Sequence, residues 1–71
     1  MWITANGEKI LDDICNNNQL TEEETVAVEK YNGYKGVRKL DPNSKGPAKY
    51  QIDEIQAILE KYAGYTDPQE E

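Results

Sequence analysis

The chain has no histidine and no phenylalanine, and only one cysteine, one tryptophan and one methionine in 71 residues. Histidine is the commonest general base and the commonest metal ligand. Without it, neither a Ser-His-Asp nor a Cys-His arrangement can be built. A single cysteine cannot close an internal disulfide, so the chain lacks the covalent framework of small secreted domains and reads as a protein of a reducing, cytoplasmic compartment. No apolar run approaches 18 residues, and no basic segment followed by an apolar one opens the chain. Nothing in this pattern points to export or to a membrane span.

The glycines at 33, 36 and 46 lack the spacing of a phosphate-binding loop and its following Lys-Ser/Thr. Asp41, Asn43 and Gly46 in DPNSKG match the first, third and sixth places of a calcium loop. Lys45 and Ile52, however, stand where an oxygen ligand and a bidentate Glu are required. A plain turn accounts for those residues. Paired carboxylates occur at Asp12-Asp13, Glu22-Glu23-Glu24 and Asp53-Glu54, but neighbours on a helix point in different directions, and charge runs on helices are normally solvated. Cys15 falls on an apolar helix side among acidic neighbours, which suits a buried thiol and not a reactive thiolate. The expectation is a protein that is not an enzyme, with no cofactor and no metal.

What is present is helical periodicity. Ala48, Ile52, Ile55, Leu59 and Tyr62 recur at four and three, with Pro47 suited to the first helical position and Gly64 to the residue past the end. This predicts a helix over 47–63. LTEEETVAVEKYNG predicts a second over 21–32, with Thr21 and Glu24 forming a capping box and Gly33 as its stop. Ile10, Leu11, Ile14 and Cys15 predict a third over 7–16, capped by Thr4 or Asn6, although Asn6-Gly7 is also a hairpin signal. A turn follows through residues 16–19. Val37-Arg38-Lys39-Leu40 reads as a short strand that can pair with Trp2-Ile3-Thr4. The fold class is therefore mainly α: a small three-helix domain over residues 1–65, open to a short two-stranded β element from residues 2–4 and 37–40. Residues 66–71, TDPQEE, read as a frayed polar tail.

Charge is the remaining signal. Residues 30–50 hold six of the eight basic residues and a single acid, Asp41, in a chain of net charge −6. Tyr31, Tyr34 and Tyr50 lie in the same stretch. Tyr and Arg are enriched at interface hot spots, and an acidic body can steer towards a basic partner. The reading that follows is a small acidic protein-binding module, a regulator or inhibitor of a larger protein, such as one that processes nucleic acid. Tyr34, Lys35, Arg38 and Lys39 would form its partner-binding residues on an exposed loop, and the chain itself would be a monomer or homodimer. The alternative is a nucleic-acid-binding protein that uses the Tyr-containing loop 34–46, cations meeting phosphates and rings stacking on bases. Against both stands internal pairing, in which these cations only neutralise the chain's own carboxylates. In size and charge the chain resembles the accessory proteins of phages and mobile elements, and that resemblance implies inhibition or redirection of host machinery.

Overall fold

The computed structural model describes residues 1–17 and 19–68. Three helices account for most of it: α1 (Ala5–Asn16), α2 (Glu22–Leu40) and α3 (Lys49–Ala63). Among the described residues none of these helices is long and apolar enough to cross a membrane.

Helix α1 starts two residues before the predicted position because Thr4 is its cap: the Thr4 Oγ1 accepts from the Gly7 N–H at 3.2 Å. Gly7 therefore lies in a first helical turn, and the hairpin suggested by Asn6-Gly7 does not form. Helix α2 opens on the expected capping box, with Glu24 N–H donating to Thr21 Oγ1 at 3.2 Å and Thr21 N–H donating to Glu24 Oε1 at 2.9 Å. Helix α3 begins at Lys49 instead of Pro47. Its cap position is Ala48, whose N–H is taken by the Gln51 side chain at 2.9 Å, and Gly64 ends it at φ 60° as anticipated.

The largest departure is the length of α2. It does not stop at Asn32-Gly33 but continues to Leu40, so 37–40 is helix, and no strand forms among the described residues. Two physical causes support the extension. Lys35 and Arg38 reach back to Glu8 on α1, at 3.3 and 3.5 Å, and the Arg38 guanidinium lies 4.2 Å over the Trp2 ring. The helix then ends where Asp41 is forced into extended backbone by Pro42. The supposed partner strand is unavailable as well. Ile3 N–H donates to the Tyr31 hydroxyl at 3.3 Å and Thr4 N–H to the Asp67 carboxyl at 3.0 Å, which uses up the donors a β ladder would need.

The true connection is 41–48. Its Asp41 side chain accepts from Asn43 N–H at 3.1 Å, an Asx turn of the kind DPNS predicts. The core gathers Ile3 with Leu11 and Ile14 of α1, Val28 and Tyr31 of α2, and Ile52, Ile55, Ile58 and Leu59 of α3. Tyr50, by contrast, is exposed.

The polar tail also departs from expectation. Asp67 is 4% exposed. Its carboxyl accepts from Thr4 N–H and Thr4 Oγ1, and its backbone exchanges two hydrogen bonds with the Gln56 side chain, at 2.9 and 3.3 Å. Residues 66–68 therefore strap α3 to the start of α1. Asn18, within the expected turn, and residues 69–71 lie outside the described residues.

Candidate functional site

The four partner-binding candidates do not share a loop. All lie in the second half of α2, and two of them are engaged within the fold. Lys35 and Arg38 both pair with Glu8, whose side chain is largely buried, and Arg38 also covers Trp2. Lys39 is exposed and forms no ion pair among the described residues, while Tyr34 is half-buried. Internal pairing thus neutralises two of the six cations that made 30–50 look like one basic motif.

A different feature comes from α2 and α3 together. Glu23, Val26, Ala27 and Lys30 on one side, with Glu54, Ala57, Ile58 and Lys61 on the other, enclose a groove of about 530 Å³. Each set repeats at three and four residues, so each is one strip of its helix. The groove exists because its walls are small: Ala27 and Ala57 leave room where larger side chains would meet across the interface, and Ile58 forms its floor. Only two helices bound it, so it runs open along its length. That suits a helix or extended segment better than a small ligand, which needs most of its surface enclosed.

The Glu24–Lys61 ion pair, at 3.3 Å, closes one end, with Tyr62 O–H donating to Glu24 Oε1 at 2.6 Å. The Thr21 N–H and the Tyr62 hydroxyl together hold the Glu24 carboxyl down to about 2. The same contacts, led by Glu24, push Lys61 and Tyr62 up. A carboxyl lowered by folding adds stability above its ordinary value and loses it as pH falls. Acidification from 4.5 towards 2 should therefore destabilise the wild type more than Glu24→Gln. Denaturant titrations of both proteins should differ most at neutral pH and converge at the acid end; parallel curves would refute the assignment.

Glu24 faces Lys61 and Lys30 shares the groove with Glu54, so α2 and α3 run antiparallel. Continued along both helices, this register brings Tyr34 and Val37 to the level of Tyr50 at the open end. Val37 is 51% and Tyr50 65% exposed. Glu23, Lys30 and Glu54 on the rim form no ion pair among the described residues, which leaves an acidic balance.

The groove offers shape and apolar surface. No group of three or more Cys, Asp or Glu side chains able to hold a metal ion occurs among the described residues. Burial, and then Asp12, push the Cys15 thiol up, away from the reactive thiolate. Asp12, Asp13 and Asp53 are solvent-exposed, whereas Glu23 and Glu54 belong to the groove.

The apolar pattern of the sequence misses the groove because Ala27 and Ala57 are too small to stand out in it. The strip Tyr50, Glu54, Ala57, Lys61, at four, three and four, was the available signal. No protein-family model matches this chain, and comparison with curated proteins and with solved structures returns no match.

Proposed function

We propose that this chain is a non-enzymatic protein-binding module, a regulator or inhibitor that takes an amphipathic segment of a larger protein into the α2–α3 groove. The observation that carries the reading is the groove lined by Ala27, Ala57 and buried Ile58. A partner helix could place one bulky apolar side chain between Ala27 and Ala57, with basic residues flanking it opposite Glu23 and Glu54. The net charge of −6 would favour encounter with such a basic surface. A nucleic-acid-processing enzyme, with its basic channel, fits that description, and so does the accessory role implied by size and charge. Of Tyr34, Lys35, Arg38 and Lys39, this reading keeps Tyr34, one turn beyond Lys30 on α2, and exposed Lys39 for contact, while Lys35 and Arg38 act through Glu8 within the fold.

The test is affinity purification from native cells with mass spectrometry, comparing wild type, Ala57→Arg and Lys39→Ala. Ala57 is exposed, so arginine there would fill the groove and leave the core intact. Its bound partner should be reduced about thirtyfold or more, the effect of losing a hot spot of roughly 2 kcal/mol. Undiminished capture by Ala57→Arg would refute the groove. Oligonucleotide binding that weakens steeply with salt would favour the nucleic-acid alternative.

A further inference from the structure

Helix α2 divides near Asn32. Its first half carries both of its buried residues, Val28 and Tyr31, and all of its groove residues, none later than Lys30. The second half, 33–40, contains no buried residue, and Tyr34, Val37 and Leu40 neither join the core nor pack against it. Leu40 is 90% exposed.

What holds 33–40 is charge and one ring face. Lys35 Nζ stands 3.3 Å and the Arg38 guanidinium 3.5 Å from the Glu8 carboxylate, and the same guanidinium lies 4.2 Å over Trp2. Among the described residues no other side-chain hydrogen bond or ion pair ties 33–40 to the rest of the chain. Both ion pairs end on a single carboxylate, so they are lost together. Gly33 and Gly36 weaken the helix at the same place, because glycine disfavours helix more than any residue but proline. Neither position requires it: both are helical, and an added Cβ would meet nothing within 4 Å. A segment with so little buried apolar contact belongs to the low-stability end of a fold.

We propose that 33–40 is a latch, which opens as one unit about Gly33 and is kept shut by the Glu8 carboxylate holding Lys35 and Arg38 at once. Closed, it withdraws two cations from the surface and covers a face of Trp2. Open, it returns Lys35 and Arg38 to solvent beside Lys39. Unwinding supplies the slack this needs, because a stretch of this length spans about 12 Å as helix and about 26 Å extended. The proposal goes beyond groove binding and does not depend on it, since the α2 wall of the groove ends at Lys30, before the hinge.

Amide hydrogen exchange of the ¹⁵N-labelled chain, with no other protein present, tests it. In the wild type the amides of 35–41 should share one level of protection, at least about tenfold below that of 28–31. Simple fraying would instead give a graded decline towards Leu40. Glu8→Gln should lower protection of 35–41 by about a further tenfold, the scale of a hydrogen bond to a charged group, and leave 28–31 and 52–59 unchanged. Glu54→Gln removes an exposed acid that has no ion pair among the described residues, and should alter neither half of α2. Alanine at Gly33 or at Gly36 should raise protection of 35–41 by about two- to fivefold each, without need of the Glu8 variant. Equal protection in both halves, a graded decline alone, alanine variants that leave 35–41 unchanged, or a Glu8→Gln loss spread evenly over the three helices would each overturn the proposal.

Discussion

Gly46→Ala should destabilise the protein by roughly 3 kcal/mol. Gly46 sits at φ 73°, in the left-handed region that side chains disfavour by about 1–2 kcal/mol. A Cβ there would stand 2.7 Å from two carbons of the Trp2 ring, and overpacking of this kind costs about 1–3 kcal/mol. Trp2 has little room to yield. Arg38 lies 4.2 Å from its ring on one side, and Tyr31 meets it edge-on, with centroids 6.1 Å apart. A domain of this length holds about 4–11 kcal/mol in total, so the change removes a large share. Thermal unfolding followed by the single tryptophan should fall by about 12–24 °C. Gly36→Ala is the contrast: its Cβ meets nothing within 4 Å inside α2, and alanine should raise stability by about 0.4–1 kcal/mol. An unchanged midpoint in Gly46→Ala would mean that Trp2 does not occupy this slot.

Asp67→Ala should cost a comparable amount, about 2–3 kcal/mol, despite its place next to the end of the chain. The loss leaves the Thr4 N–H without its 3.0 Å acceptor in a part-buried position, and an orphaned donor costs about 1–3 kcal/mol. It also removes an acidic group from the N-terminus of α1, where the dipole rewards it by about 0.3–1 kcal/mol. The damage should spread to the cap, because Thr4 Oγ1 bonds Asp67 and receives the Gly7 N–H. Gly7 is small for the same reason: its Cβ would fall 2.9 Å from the Asp67 carboxyl carbon. Asp67→Asn, which retains an acceptor without the charge, should cost about half as much by chemical denaturation. Equal stability of all three proteins would show that the strap contributes nothing.

The helices were legible where the signal is local. Thr21 with Glu24, Gly64, and the strip Ile52, Ile55, Leu59 act over a few residues, and each performs the role its spacing implies. The errors share a non-local cause. Gly33 and Gly36 are poor helix formers, and contacts from Lys35 and Arg38 to Glu8 and from Arg38 to Trp2, all distant in sequence, support α2 past them. Asp67 looks like an ordinary tail residue because its partner Thr4 is 63 positions away. The candidate site suffered most: positive charge was read as available for a partner, whereas burial of Glu8 commits Lys35 and Arg38 to the fold. Small residues carry little weight in a pattern search, so the alanines that open the groove went unmarked.

The central claim is that the α2–α3 groove is the partner surface. Once a partner is in hand, a titration of the ¹⁵N-labelled chain followed by amide chemical shifts tests it most directly. The account predicts that the largest perturbations fall on Val26, Ala27, Lys30, Glu54, Ala57 and Lys61, extending to Tyr34 and Tyr50. Perturbations centred on Lys39 to Lys45 or on α1, with the groove unaffected, would contradict it.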